Sequence, residues 1–131
     1  MAAGWRSPVA WSHGSCDTPA FSIVPELTPI ASEAIFDKLA MSAFEGTPLQ
    51  MALRDCGVTA IAVAGIAMEV GIEPTVRHAI DLGFIPIVIA DACGAGHAEA
   101  ARRSLESLAF EGNSIITDVA SFIDVLRRQT S

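Results

Sequence analysis

Residues 59–75, Thr-Ala-Ile-Ala-Val-Ala-Gly-Ile-Ala-Met-Glu-Val-Gly-Ile-Glu-Pro-Thr, constrain the fold more than any other stretch. The first half, 60–64, is a short unbroken apolar run containing Ile61 and Val63, the pattern of a strand buried on both faces of a parallel sheet. Gly65 ends it. Beyond Gly65 the residues Ile66, Val70, Val76, Ala79, Ile80 and Leu82 fall near helical spacing. Pro74 is tolerable there only in a first turn, and Gly83 closes the helix. Strand, tight crossing and helix in succession aim backbone N–H groups at whatever lies above the carboxyl end of the strand, which is where open α/β sheets bind ligands.

The rest of the chain repeats this unit. Residues 34–37 (Ala-Ile-Phe-Asp) read as a short strand with Lys38 at its carboxyl end, where sites form. Thr47 as N-cap, Pro48 at the first helical position and Gln50 completing a capping box start a helix that Gly57 stops. Residues 84–90 form a second buried strand with Pro86 near its beginning, and 91–96 is the loop that leaves it. Residues 97–110 are helical, with Ala101, Leu105 and Leu108 on the apolar face. Residues 114–117 give a further strand, and 118–128 a closing helix with Val119, Phe122, Ile123 and Leu126 inward. This β-α order predicts a three-layer α/β/α sandwich with a mainly parallel sheet of about four strands. Residues 1–32, rich in Gly, Ser, Thr and Pro, form an extended N-terminal segment ahead of the α/β domain at 33–131. Its Trp5, Trp11 and Phe21 need covering, by this domain or by a partner chain. His13 sits in a Gly/Ser loop and reads as a surface residue.

Composition limits the function classes. With 131 residues, 51% of them hydrophobic, and a mean hydropathy of +0.45, the chain can bury one core. A net charge of -7 and the lack of a basic stripe argue against a nucleic-acid partner. Cys16, Cys56 and Cys93 have neither CxxC nor metal-ligand spacing, which suits a reducing compartment. No apolar stretch has the length of a membrane span, so the expectation is a cytoplasmic protein without membrane partners.

Three features converge on one sheet edge: Lys38, the crossing at 65–71, and the exit 91–93. The Gly94-x-Gly96 turn has the place of a dinucleotide-binding turn. Its third glycine position is Glu99, however, and a carboxylate in that first helical turn opposes a pyrophosphate, so no cofactor is expected.

Lys38 with Ser42-Ala43-Phe44, Gly46-Thr47-x-Leu49, Leu53-Arg54, Gly57-Val58, Val63-x-Gly65-Ile66-Ala67-x-Glu69-Val70, Asp91-Ala92 and His97 resembles the isochorismatase-like cysteine hydrolases. That superfamily includes nicotinamidases and other small-amide hydrolases. The upstream Ile23-Val24-Pro25-Glu26-Leu27-x-Pro29 fits the same pattern, and the likeness runs over roughly residues 20–128. It implies a Rossmann-like fold and a site made of a Cys nucleophile at a helix start, a Lys, and an Asp base. A thiolate in such a place is stabilised by the helix N-terminus and a neighbouring cation, while two backbone N–H groups hold the oxyanion.

Carried over residue by residue, Lys38 takes the place of the family Lys, and Ile66-Ala67 stands at the family's cis peptide. Ala67 and the N–H of Gly71 would form the oxyanion hole, with Ile66, Met68, Glu69 and Phe44 lining the pocket. Two departures follow. Gly71 stands at the nucleophile position, and Met68 where a Thr is usual. No aspartate matches the base: Asp17 and Asp37 have the wrong context, and the strands that would precede Val24 are replaced by coil. The family's metal ligands would lie in that same region, so no metal is expected. The bland readings are Cys56 and Cys93 as core residues, Glu69 as an acceptor for loop N–H groups, and His97 as a helix-start residue bonded to the loop.

Two functions follow from the resemblance. One is a hydrolase-like protein for a small amide or ester, catalytically impaired at Gly71. The other is a non-catalytic binding module or oligomer subunit that keeps the fold. The residues leave open whether the chain is an enzyme. A homo-oligomer is expected, with the N-terminal segment across the partner, because the first strands of a doubly wound sheet lie at its centre and their loss exposes an inner edge.

Overall fold

Short apolar runs alternating with longer amphipathic stretches give four α-helices and three strands in the computed structural model, which describes residues 23–129. Trp5, Trp11, His13, Cys16, Asp17 and Phe21 lie outside the described residues. The chain divides between Ile35 and Phe36 into two units. In the described part of the first, a single 3-10 turn at Pro25–Leu27 starts on a proline whose fixed φ suits that place, and Thr28 Oγ1 donates to Pro25 O at 2.8 Å.

In the second unit the order is α1 (Leu49–Asp55), β1 (Ala60–Gly65), a wide turn (Met68–Ile72), α2 (Glu73–Asp81), β2 (Ile85–Cys93), α3 (Ala98–Glu111), β3 (Ile115–Thr117) and α4 (Val119–Gln129). The sheet is parallel in the order β1-β2-β3, with Ala60 opposite Ile85, Val63 opposite Val88 and Ile87 opposite Ile115. Pro86 sits in the central strand without breaking a rung, because the β3 ladder begins one residue later, at Ile87. Gly65 (φ 124°) and Gly112 (φ 67°) leave β1 and α3 in backbone conformations that L side chains resist.

One face of the sheet is covered by α2 and α3. There Met68, Ile72, Val76, Val88 and Leu108 form the main core, with Val63 and Ile116 against it. A second cluster joins Phe44, Ala79 and Phe84 to Ile61, Leu49 and Leu53. The opposite face carries Ala60, Ala62, Ala64, Ile85, Ile87, Ile89 and Ile115, by alternation from Val63 and Val88. Among the described residues only α4 covers that face. It buries Ile89 but leaves Ile85 and Ile115 half exposed, at 52% and 53%. The apolar stripe expected to turn inward on α4 is consequently only partly covered, and of its members Phe122 is half-buried while Val119, Ile123 and Leu126 are exposed.

Four expectations are corrected. Residues 34–37 form no strand, so among the described residues the sheet has three strands where about four were expected; four apolar-to-polar residues have no periodicity that separates a strand from coil. The helix after Thr47 begins at Leu49 with Pro48 as its cap residue; Thr47 Oγ1 still accepts from Leu49 N–H at 3.3 Å while donating to Ala43 O at 2.5 Å, but Pro48 is not in the first helical position. The segment 91–93, expected as loop, continues β2, because Cys93 pairs with Gly65 and Gly94 N–H donates to Gly65 O at 2.8 Å. Cys56, expected in the core, is exposed in the turn that ends α1.

Candidate functional site

The site is built on the crossing that follows β1. The Ile66–Ala67 peptide is cis. Ala67 O then accepts from the N–H groups of Val70, Gly71 and Ile72 at 3.1, 2.8 and 3.1 Å, so the chain winds through a wide turn before α2. Pro74 follows in the first turn of α2, where its missing donor costs no bond. Met68 N–H donates to Gly94 O at 2.8 Å. The N–H groups at 68, 70, 71 and 72 are thus taken up within the chain, whereas the residue pattern alone suggests donors aimed outward.

Gly71 is half-buried and has ordinary helical backbone freedom. A Cβ placed on it would meet Ile66 O at 3.7 Å, an ordinary van der Waals distance, so the backbone leaves room for a side chain that the sequence does not supply.

Lys38 is exposed, and its ammonium donates to Ala40 O at 3.0 Å and Met41 O at 3.1 Å, closing its own loop. That loop is tied to the crossing through one hydroxyl. Ala43 N–H donates to Thr75 Oγ1 at 2.9 Å, and Thr75 Oγ1 donates to Gly71 O at 2.7 Å. Next to it Ser42 Oγ and His78 Nδ1 lie 3.0 Å apart, and Phe44 packs against the rings of His78 and Phe84. Phe44, expected in the pocket, is buried at 6% exposure in the second core cluster. Met68 is buried at 3% in the main core, while Ile66 projects to solvent at 78%.

Glu69 reaches across to the start of α3. Its Oε1 accepts from His97 N–H at 2.5 Å, and bonds from its own N–H and those of His97 and Gly96 hold its carboxyl below the ordinary value of 4.5, its own N–H contributing most. Oε2 is shielded and makes no hydrogen bond among the described residues. The glycine at 96 follows from this contact, since a Cβ there would lie 2.8 Å from Glu69 Oε1; a Cβ on Gly94 would meet the Ile66 side chain at 3.2 Å. Both glycines therefore serve close approach of the crossing. His97 is the cap residue of α3, and Asp91 Oδ1 accepts from Val119 N–H at 2.8 Å at the start of α4. Cys93 Sγ donates to Ile89 O at 3.2 Å, and burial pushes its thiol up, away from the thiolate that a nucleophile needs.

Sequence reasoning missed the polar clamp between α2 and α3. Arg77 donates to Glu73 Oε1 through Nε at 2.9 Å and Nη2 at 2.8 Å, to Ser107 Oγ at 2.9 Å and to Glu111, while Ser104 bonds to the other Glu73 oxygen. Its signal was only the i,i+4 pair Glu73–Arg77, because the other bonds join residues 30 to 34 apart in the chain. Among the described residues no group of three His, Cys, Asp or Glu side chains is arranged to hold a metal ion, and no helix is long and apolar enough to cross a membrane.

A parallel sheet with helices packed on it and a strand-to-helix crossing at the carboxyl end of β1 is a Rossmann-like α/β architecture. The isochorismatase domain family matches residues 8–121, and the chain belongs to that family. A ureidoacrylate amidohydrolase of Methylobacterium radiotolerans is 32% identical over 115 residues, covering 88% of this chain and 43% of that protein. An uncharacterized isochorismatase family protein of Escherichia coli O157:H7 is 38% identical over 71 residues, 54% of this chain and 38% of the relative. Among solved structures, an isochorismatase family protein from Desulfovibrio vulgaris superposes with a TM-score of 0.77 at 31% identity, covering 84% of this chain and 57% of that one. The chain thus spans less than half the length of the first two relatives.

Proposed function

We propose that this chain is an isochorismatase-family, hydrolase-like protein whose pocket at the carboxyl end of β1 takes a small amide or ester, and that hydrolysis there is impaired because Gly71 occupies the nucleophile position. The observation that carries this reading is the backbone at Gly71, in the wide turn after the β1 crossing: a Cβ there would sit in ordinary van der Waals contact with Ile66 O at 3.7 Å, so the position tolerates a side chain that the sequence does not supply. A thiolate would attack the amide carbon and expel the amine, giving an acyl-enzyme for water to cleave. Without it, water alone must do both steps. The ureidoacrylate amidohydrolase among the relatives supports an amide as the substrate class.

The test is hydrolysis of ureidoacrylate and nicotinamide by the full chain, with and without iodoacetamide. Ammonia release should stay at the background rate in both. Robust release abolished by alkylation would overturn the reading and point to Cys93.

A second reading, a binding module that holds the amide without turnover, is favoured by the internal use of the polar groups. Lys38 Nζ and the N–H of Gly71 both bond within the chain. Calorimetry distinguishes the two: saturable amide binding with no product supports the module.

A further inference from the structure

One oxygen atom joins the Lys38 loop to the crossing. Thr75 Oγ1 donates its proton to Gly71 O at 2.7 Å and accepts from Ala43 N–H at 2.9 Å, so a single hydroxyl serves both bonds, one as donor and one as acceptor. The bond to Gly71 O is the back-bond that a helical threonine makes to its own turn. The bond from Ala43, 32 positions earlier in the chain, is what the threonine adds here. Thr75 is buried at 7% exposure, and Ala43, half-buried between Ser42 and Phe44, has no other partner for its N–H among the described residues. A shielded donor without a partner is costly, so the loop seats where this oxygen lies. Ser42, beside it, has no such reach: its Oγ meets Phe44 N–H and His78 Nδ1, and neither leads to residue 71.

We propose that Thr75 is a positioning residue of this site: it sets the loop that carries Lys38 against residue 71, so that the lysine's charge bears on a side chain at that position. The proposal rests on the reading of Gly71 as a nucleophile position. Residue 71 is fixed on both sides, its N–H donating to Ala67 O at 2.8 Å and its C=O accepting from Thr75. The Lys38 ammonium rests on Ala40 O and Met41 O within its own loop, so the cation stands wherever that loop is seated. A neighbouring cation favours a thiolate, and its effect depends on the distance the seat imposes.

The test places a thiol at the position in question. Iodoacetamide alkylation of the full chain carrying Gly71→Cys is followed against pH, alone and combined with Thr75→Val or Thr75→Ser, with peptide mapping to isolate the thiol at 71. Valine keeps the branched shape and removes both bonds, whereas serine keeps the hydroxyl. Thr75→Val should move the midpoint of the alkylation profile up toward that of an ordinary thiol, ~8.5, and slow the reaction at neutral pH by roughly three- to tenfold. Thr75→Ser should leave the profile where Gly71→Cys alone puts it. A threonine that serves stability only would lower the unfolding midpoint in Thr75→Val without moving the alkylation profile, and that result overturns the proposal. An ordinary thiol profile in Gly71→Cys alone is a different failure: it removes the reading of Gly71, and the proposal with it. Should Thr75→Val fail to fold by circular dichroism, Lys38→Met decides, since that side chain is exposed. It should move the profile in the same direction, and an unmoved profile overturns the proposal.

Discussion

Leu108 and Phe110 are two residues apart on α3 and belong to opposite environments, with exposures of 1% and 91%. Leu108 closes the main core between α3, the wide turn and β2, touching the cluster that contains Met68, Ile72, Val76 and Val88. Leu108→Ala removes three carbons, about 2.4 kcal/mol of lost burial at ~0.8 kcal/mol each. The cavity left behind brings the expected cost to about 3–4 kcal/mol. Against a total stability of ~5–15 kcal/mol this is a large share. With a urea m-value of ~1–2 kcal/mol/M, the unfolding midpoint should fall by roughly 1.5–4 M, followed by far-UV circular dichroism at one fixed protein concentration. Phe110→Ala, by contrast, should move the midpoint by no more than the equivalent of ~0.5 kcal/mol. Equal losses in the two variants, or a loss under ~1 kcal/mol for Leu108→Ala, would show that α3 packs through another face and would refute the core described above.

Gly65→Ala should cost about 1–3 kcal/mol from backbone strain alone, since φ is 124° and the nearest atom to a new Cβ is Ile72 Cδ1 at 3.8 Å. Gly71→Ala, where φ is not positive and space exists, should be near neutral by the same urea titration; equal costs would contradict the geometry of the crossing. Acid should destabilise the chain through Glu69 and Asp118, whose carboxyls are both held below their ordinary values, 4.5 and 3.8, by backbone N–H groups. A depressed folded-state pKa gives stability that is present above the ordinary value and lost as pH falls through the folded one. The urea midpoint should therefore hold at neutral pH and decline in the acid range, less steeply in Glu69→Gln; an unchanged slope in that variant would show that Glu69 has no part in the acid response.

What was legible in the sequence is what local chemistry decides. Ala60–Gly65 read as a strand because its apolar run is short and ends on glycine, and α3 read correctly to within a residue because its apolar spacing is helical and Gly112 stops it. The segment 34–37 misled because a strand needs a neighbour to bond to, and no neighbour is written in four residues. Residues 91–93 misled in the opposite sense: Asp91 and the following glycines look like a loop, and only the rung to Gly65, 28 residues away, keeps Cys93 in the sheet. At the site, the strand-to-helix crossing at 65–71 was legible from its residue pattern, whereas Lys38, expected at the end of a strand, lies in coil with its ammonium on Ala40 O and Met41 O. The burial of Phe44 by His78 and Phe84, and the Arg77 clamp, depend on residues that meet only in the fold.

The central claim is that the crossing after β1 is a nucleophile site with its side chain missing, and Gly71→Cys measures it directly. The rate of iodoacetamide alkylation at position 71 is followed against pH, with peptide mapping to separate it from exposed Cys56. The account predicts that the helix-start environment lowers the introduced thiol's pKa below the ordinary ~8.5, so that alkylation is already fast at neutral pH. An ordinary or raised pKa at that position would contradict it.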